Sequence, residues 1–516
     1  MQTKTKVIFF IIVFSLLLGT TTSGSFFYGD INMIDEGQFA AWANHMLHGK
    51  LLFRDIYITY GPLSVYPLFW LFQIFGASAF LVRLYLTIGG TLGIIASYLL
   101  MDEIKIKKWI VYFLLIVFLL IPVLNLREAV GLLALFLLLK SIKEKSGTLS
   151  LFAGIASLFS FIVSPDFGIF ILIVACLHFL VSVTISPKLK KDLKMFVLFI
   201  TGYFAVLVCF LLWALRSHWL KEYITETIDI IVSISGINVP NGLNFPSPMG
   251  LLTNGNWSGL VKFLVGHEML LYWSLCIYIA AIFYLVVKFI QNKTDKNIYS
   301  FLLITFFGIL VYTILLTRHG SGHYFYTLPV NLIVSGYLFD KLIGIKKKTK
   351  VVYIFIFLII IYLVRILYMN NPMIRKNLDY RTYLLPHQTN INRVGFLSIS
   401  TKQEKKIAFF QKYISKNTSP KDYIFLFNDE PAIYMLVDRV NPTKFDLPFI
   451  GNLLEKRLDI LHSLSIAKPK FIFIDNDTWP VDGISNKVRL PEVYEYIKKY
   501  YKFVEKSENV EVYSLQ

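Results

Sequence analysis

Two adjacent acids, Asp35 and Glu36, stand in a polar stretch that directly follows a short apolar run. One of these carboxylates could act as a general base that takes a proton from an acceptor hydroxyl. The other could orient that base or bind a cation. The alternative interpretation is structural: Asp35 would cap a short helix, its carboxylate accepting hydrogen bonds from free backbone N–H groups. An isolated Asp-Glu pair favours the cap, so the choice depends on the residues around it.

The residues after this pair show the spacing of an amphipathic helix that ends at His48-Gly49. Such a helix is predicted to lie in the plane of a membrane interface. Arg54 and Asp55 follow, and a Tyr60-Gly61-Pro62 turn precedes an aromatic-rich helical segment. Arg54, Asp55 and Tyr60 are therefore candidate contacts to a substrate or a metal ion. These surrounding residues favour a catalytic role for Asp35 and Glu36 over the capping role.

A second polar cluster follows a late apolar run and contains Arg318, His319, His323 and Tyr324, with two glycines between the histidines. Arginine offers a fork of donors that suits a phosphate, and a helix that begins near Tyr324 would add a positive end. The cluster predicts a phosphate-binding site, and Arg83 is a further candidate for it. The alternative is a set of positive caps at the membrane interface.

Two more acids lie between close apolar runs. Glu128 follows Arg127, and the two could form a local ion pair worth about 0–1 kcal/mol if exposed. Asp166 is predicted to cap the helix that follows Ser164-Pro165, and both acids are also candidate substrate or metal contacts. No metal-ligand spacing is evident and no cofactor is predicted with certainty, although two outer acids could hold a divalent metal ion.

The composition indicates a membrane protein. The chain has 516 residues, is 56% hydrophobic and has a mean hydropathy of +0.60, which is too apolar for an ordinary soluble domain. A spanning helix needs about 20 apolar residues. The first run, from Val7 to Gly19, is interpreted as a retained helix in preference to a cleaved signal peptide. Ten more runs lie near 81–101, 109–124, 126–140, 149–163, 167–185, 195–215, 267–288, 298–317, 324–340 and 351–369.

Lysines concentrate in alternate connections between these runs, for example at 105–108, 188–194 and 346–350. The positive-inside rule then places the N-terminus in the cytoplasm and the acid pair on the opposite side. The same lysines account for the net charge of +18, because they orient helices and meet anionic lipid. No nucleic-acid partner is predicted.

The composition changes after residue 369. Tyr423–Phe427 and Phe471–Ile474 are typical of buried strands, Ile407–Ser415 has helical spacing, and residues 502–514 indicate a terminal hairpin. Acids that follow the two strands, such as Asp429, are predicted to cap turns. The predicted fold is thus a polytopic α-helical membrane protein with about eleven spans (1–369, outer loop 24–80) and an extracytoplasmic α/β domain (370–516).

The motifs of the first outer loop resemble those of the GT-C membrane glycosyltransferases, nearest to the protein O-mannosyltransferase, aminoarabinose transferase and RgtA-like group. Their order and spacing over about fifty residues carry the resemblance, and the rest of the apolar region resembles that superfamily only in layout. One departure is Gly61-Pro62, where members often have Pro-Pro. The matching residues are Asp35, Glu36, Gly37, Gly49, Arg54, Asp55, Gly61, Pro62, Leu63, Phe75, Gly76 and Arg83.

The resemblance implies a catalytic role for Asp35, with Glu36 as its neighbour, and a lipid-phosphate contact at the cluster near Arg318. It implies an inverting glycosyltransferase that moves a sugar from a polyprenyl-phosphate donor to an envelope acceptor (glycan, lipid or protein) on the outer face of the plasma membrane. Two competing functions are a polytopic transporter or flippase and a non-catalytic envelope assembly protein. The transporter is disfavoured because the apolar runs hold almost no ionisable residues away from their ends.

Overall fold

The computed structural model describes residues 2–18, 29–121, 125–185, 189–228, 258–259, 268–293, 295–317, 326–344, 353, 360, 389–478 and 480–516. Its packing divides the chain into two compact units. The helical unit comprises Met1–Thr20, Leu86–Leu212 and Leu243–Asn377, and the sheet unit comprises Thr21–Tyr85, Trp213–Gly242 and Leu378–Gln516. The predicted linear division at residue 369 stays a prediction, and the packing groups the first loop with the C-terminal part of the chain.

The helical unit is built from apolar helices, because in lipid only a helix or a closed barrel satisfies every backbone polar group internally. Five helices in the described ranges are long and apolar enough to cross a membrane: Ala79–Glu103, Pro165–Ser182, Lys191–Arg216, Tyr272–Ile290 and Lys296–Leu315. Helices occupy the predicted spans up to residue 343, and the segment 351–369 lies outside the description except for residues 353 and 360. The bounds are α1 Gln2–Leu18, α4 Ala79–Glu103, α5 Lys108–Leu120, α6 Leu126–Glu144, α7 Gly147–Val163, α8 Pro165–Ile185, α9 Leu189–Arg216, α10 Glu268–Ile290, α11 Lys296–Thr317 and α12 Leu328–Ile343.

The sheet unit contains a four-stranded sheet of order β1-β2-β4-β3, made of β1 (Ile424–Leu426), β2 (Phe471–Asp475), β3 (Tyr501–Ser507) and β4 (Val510–Leu515). β1 and β2 are parallel, with Ile424 opposite Phe471, and β4 is antiparallel to both of its neighbours. Glu508 and Asn509 join β3 to β4 with positive φ angles of 48° and 61°, as a tight hairpin turn requires. The predicted strands and the terminal hairpin are confirmed.

Helices flank this sheet. Ser400 caps the start of α13 (Thr401–Asn417) by accepting a hydrogen bond from the backbone N–H of Gln403. The buried Ile407, Phe410 and Ile414 define the face of α13 that packs inward. The predicted helical spacing at 407–415 is therefore confirmed. The remaining helices are α13 Thr401–Asn417, α14 Ala432–Val437, α15 Leu454–Ala467, α16 Asn486–Arg489 and α17 Pro491–Tyr500.

The polar stretch after the first apolar run forms two helices in the sheet unit, α2 (Asp35–Leu47) and α3 (Tyr66–Phe75). The predicted amphipathic helix is confirmed as α2. The sequence predicted that the apolar face of α2 would meet the membrane interface, but this face is buried: Trp42 is 1% exposed, and Ala41 and Ala43 are fully buried. Protein covers this face, with α2 packed against α14.

Candidate functional site

Asp35 is the first residue of α2, and its side chain is exposed. The helix start is capped by Asn32, whose Oδ1 accepts hydrogen bonds from the backbone N–H groups of Ile34 (3.1 Å) and Asp35 (2.9 Å). Asn32 Nδ2 also donates to Asp35 Oδ2 at 2.8 Å. Asn32 thus binds two N–H groups at the helix start, and the Asp35 carboxylate lies at the surface. The structural alternative, in which the Asp35 carboxylate caps the helix, stays a prediction.

Glu36 points the other way and forms a buried, bidentate ion pair with Arg83 of α4. Nε and Nη2 of Arg83 each lie 3.0 Å from one oxygen of the Glu36 carboxylate. The two side chains are 2% and 0% exposed. Arg83 also donates to the carbonyl oxygens of Gly29 and Asp30, both at 3.1 Å, and Glu36 accepts from the backbone N–H of Asn32.

This pair gives each of two predicted site residues a structural partner. The bidentate geometry is the strong form of an arginine–carboxylate contact, and it compensates both buried charges. The geometry supports the interpretation in which Glu36 orients its neighbour, because the pair ties the first turn of α2 to Arg83, which belongs to the same compact unit. Arg83 uses its guanidinium for protein contacts, so nothing in this arrangement supports its predicted role as a phosphate ligand.

Two glycines of the first-loop motif have local physical reasons. A Cβ atom at Gly37 would lie 2.6 Å from the backbone nitrogen of Ala432, which itself donates to the carbonyl oxygen of Met33. Gly49 follows the end of α2 with φ +83°, a left-handed conformation that glycine adopts without steric cost. The first glycine allows close packing on α14, and the second allows the chain to turn away from α2.

The second half of α2 is joined to the C-terminal part of the sheet unit by buried polar contacts. Asn44 Nδ2 donates to the carbonyl oxygen of Arg439 at 3.2 Å, and Asn44 Oδ1 accepts from Arg393 at 3.2 Å. His45 Nε2 lies 2.8 Å from Asp446 Oδ1. Sequence reasoning missed these residues, and the only signal for them was the polar character of two positions inside a helix of otherwise apolar spacing.

The other first-loop candidates lie near the surface. Arg54 and Asp55 form an ion pair with each other, at 2.9 Å and 2.7 Å, and Arg54 is half exposed. Tyr60 is half-buried and stacks on Phe39, with ring centroids 5.9 Å apart and planes 7° apart. Phe39 lies one helical turn after Asp35, on the same side of α2. The predicted substrate contacts of Arg54, Asp55 and Tyr60 stay predictions.

Glu128 and Asp166 belong to the helical unit. Arg127 forms its ion pair with Asp166 and not, as predicted, a local pair with Glu128. Glu128 is 1% exposed and completes a capping box with Asn125 at the start of α6. Asp166 Oδ1 accepts from the backbone N–H of Phe167 at 2.8 Å, so the predicted capping role is confirmed. A substrate or metal contact for either acid stays a prediction.

Acids at the ends of β1 and β2 form a separate buried cluster. Lys406 pairs with Glu430 and with Asp475, and Asp475 caps the following turn by accepting from the backbone N–H of Asp477. Asp429 accepts from the backbone N–H of Phe449 at 3.1 Å. Burial raises the pKa of Asp429 to about 6. The predicted turn-capping role is confirmed for Asp475.

The predicted phosphate cluster of Arg318, His319, His323 and Tyr324 lies outside the residues that the structure describes. Within the described ranges, no group of three or more His, Cys, Asp and Glu side chains is placed to hold a metal ion. Asp35 and Glu36 point to different surroundings and do not form a shared ligand pair. The divalent metal ion stays a prediction.

Comparisons with known proteins find similarity in structure only. No protein-family model and no curated protein sequence matches the chain. A crystal structure of ArnT from Cupriavidus metallidurans in the apo state aligns with 99% of this chain and 97% of its own, at 12% identity and a TM-score of 0.51. A crystal structure of the same protein bound to undecaprenyl phosphate aligns at 12% identity and a TM-score of 0.48, over 99% and 98% of the two chains.

The comparison with the apo structure establishes the fold over nearly the whole chain. ArnT is an aminoarabinose transferase and a GT-C glycosyltransferase. The resemblance predicted from the first-loop motifs is therefore confirmed at the level of the fold. Together with the five long apolar helices, it makes this chain a multi-pass membrane protein.

Proposed function

We propose that this protein is an inverting glycosyltransferase that uses a sugar carried on polyprenyl phosphate and transfers it to an envelope acceptor at the outer face of the membrane. Asp35 is the general base. The observation that carries the proposal is the exposed Asp35 carboxylate on a helix whose next residue, Glu36, is fixed by a buried pair with Arg83. A base held in this way keeps its position without paying for side-chain and helix ordering at each turnover.

The chemistry follows from this position. The carboxylate of Asp35 accepts the proton of an acceptor hydroxyl while the hydroxyl oxygen forms a bond to the anomeric carbon of the donor sugar. The bond between that carbon and the phosphate oxygen breaks, and polyprenyl phosphate leaves with the bonding electron pair. Direct displacement inverts the configuration at the anomeric carbon. Cationic side chains near the leaving phosphate would stabilise its growing charge, and the segment 318–324 is the candidate for them.

The remaining parts of the proposal come from the lysine distribution and from the fold. The lysine-rich connections support a cytoplasmic N-terminus, with the first polar loop and the C-terminal domain on the outer side. A donor with an isoprenoid tail suits a protein with several membrane-spanning helices, since the tail stays in lipid while its phosphate lies at the interface. The proposal specifies the acceptor as an envelope component with a free hydroxyl, which includes glycans, lipids and proteins.

The test is transfer from labelled polyprenyl-phosphate sugars by the purified full chain in lipid vesicles. Asp35→Asn keeps the shape of the side chain and its contact with Asn32 but cannot accept a proton, so we expect transfer to fall at least a hundredfold, as for the loss of general base catalysis. Glu455→Gln is the matched control, because it makes the same kind of change at an exposed acid on α15. Wild-type transfer rates in Asp35→Asn would contradict the base assignment.

Two other outcomes separate the competing functions. Movement of labelled lipid-linked sugar across the vesicle membrane, without transfer to any acceptor, would identify a flippase. A wild-type protein that neither transfers nor moves any donor, but is required for envelope assembly in cells with Asp35→Asn fully active there, would identify a non-catalytic assembly protein.

A further inference from the structure

The buried pair between His45 and Asp446 has no role in the chemistry above, although it joins α2 to a part of the chain 401 residues away. The side chain of His45 is 1% exposed and that of Asp446 is 2% exposed. Buried ionisable groups cost free energy unless they are paired. A pair of this kind, on the helix that carries Asp35, calls for a structural or functional reason.

The segment that presents Asp446 is itself held by hydrogen bonds. Asn441 Nδ2 donates to Asp446 Oδ1 at 2.9 Å and to the carbonyl oxygen of Phe445 at 2.9 Å. Asn441 Oδ1 accepts from the backbone N–H of Thr443 at 2.9 Å. Lys50, which follows α2, donates through Nζ to the carbonyl oxygen of Asn441. Asp446 is thus held in place by contacts that do not involve His45, and its Oδ1 accepts two hydrogen bonds.

Burial favours the neutral form of the His45 imidazole. Burial lowers the pKa of His45, and the adjacent Asp446 carboxylate only partly opposes this effect. Nε2–H then donates to Asp446 Oδ1. In the part of the chain that the structure describes, His45 Nδ1 and Asp446 Oδ2 have no hydrogen-bond partner. The pair therefore depends on one charge-assisted hydrogen bond, with no second partner to replace it.

This pair and the first-turn contacts hold α2 at both ends. At the start, Glu36 is bound by Arg83 and Gly37 lies against Ala432. His45 lies nine residues after Glu36, which is about 13 Å along a helix. Two attachments at this separation fix both the direction of the helix axis and the rotation about it. The rotation decides whether residue 35 points outward.

We propose that His45 and Asp446 are positioning residues: their hydrogen bond fixes α2 on the C-terminal segment 441–446 and so fixes the Asp35 carboxylate. The C-terminal part of the chain then serves the reaction by holding the base. The kinetic part of this inference rests on the proposed function, and the structural part does not. Neither residue needs to touch a substrate.

Hydrogen exchange of the full-length protein in detergent measures the structural part. His45→Leu removes the donor, and we expect amide exchange within residues 35–47 to accelerate about tenfold or more, the loss expected for a buried hydrogen bond to a charged group. Exchange in α13 should not change. His45→Gln keeps an N–H donor and should restore most of the protection. His48→Gln is the control, because His48 directly follows α2 and its pair with Asp438 is far less buried, at 31% and 46% exposed.

Transfer kinetics measure the kinetic part of the inference, the effect of the His45–Asp446 hydrogen bond on the reaction rate. We expect kcat to fall about tenfold or more in His45→Leu with the KM for the donor unchanged, and to recover in His45→Gln. If His45→Leu does not fold, Asp446→Asn tests the same hydrogen bond: it keeps an oxygen acceptor but removes its charge, so we expect a smaller effect in the same direction. Unchanged exchange in residues 35–47, or equal acceleration in α13, would overturn the proposal. If the wild type transfers no sugar, the proposed function fails while the exchange data still decide the structural part.

Discussion

The buried pair of Glu36 and Arg83 gives a prediction that separates a structural role from a substrate role. Arg83→Met removes the guanidinium while it keeps a long apolar side chain. The Glu36 carboxylate, 2% exposed, then loses its charge partner, and the carbonyl oxygens of Gly29 and Asp30 each lose a donor. Breaking a buried ion pair from one side costs about 3–5 kcal/mol.

This cost translates into a lower unfolding temperature. For a unit of this size each kcal/mol lowers the midpoint by about 2–4 °C, so we expect a shift of roughly 6–20 °C. The double variant Glu36→Leu with Arg83→Met should recover most of the loss, because it replaces both charges with apolar groups. Thermal unfolding of the full chain in detergent, followed by fluorescence, measures all three variants and the wild type.

A donor-binding measurement on the same samples completes the comparison. If Arg83 is structural, the folded double variant should bind a polyprenyl-phosphate donor as the wild type does. An Arg83→Met protein that unfolds at the wild-type temperature but no longer binds the donor would refute the structural assignment. It would favour the phosphate contact that the sequence predicted.

Two further predictions concern the sheet unit. Gly37→Val places side-chain atoms against the backbone of Ala432 and should lower stability by about 1–3 kcal/mol, measured as a lower unfolding midpoint, whereas Gly37→Ser should cost less. Burial raises the pKa of Asp429 to about 6, so its contribution to stability is complete below the ordinary carboxyl pKa and is lost as pH rises through about 6. This loss amounts to about 3 kcal/mol for two pKa units, and Asp429→Asn should remove it. The prediction is contradicted if the difference in unfolding free energy between the wild type and this variant is the same at pH 4.5 and pH 7.5. Asp429 Oδ2 accepts from Asn486 Nδ2 at 3.1 Å in the wild type, so the variant loses one of two acceptor oxygens, and this cost is the same at both pH values.

Much of the architecture could be predicted because its signals are local. Runs of about 20 apolar residues predict spanning helices, and α4, α8 and α11 follow such runs. The sequence of residues 502–514 indicates a terminal hairpin, and β3 and β4 form it. Asp166 and Asp475 were predicted to cap turns, since a capping side chain needs only its sequence neighbours.

The arrangement of the site could not be predicted in the same way. Glu36 pairs with Arg83 across 47 positions, and Asn44 reaches the carbonyl oxygen of Arg439 across 395 positions. Such contacts depend on tertiary packing, which leaves no periodic pattern in the sequence. The prediction that the apolar side of α2 meets lipid failed because this side is covered by tertiary packing. Hydrophobic spacing identifies an apolar face, but it does not say whether lipid or protein covers that face.

The acid pair itself shows how one helix gives two neighbouring carboxylates different roles. Successive residues of an α-helix are about 100° apart around its axis, so side chains at positions 35 and 36 cannot share one environment at the edge of a packed helix. With Gly37 against Ala432 and Glu36 on Arg83, the rotation of α2 leaves Asp35 on the exposed side. Exchange of the two acids, Asp35→Glu with Glu36→Asp, keeps composition and charge but shortens the side chain that must reach Arg83. We expect that loss of reach to disturb the helix start more than the longer side chain at position 35 does, because a buried carboxylate that loses its partner cannot turn to water instead.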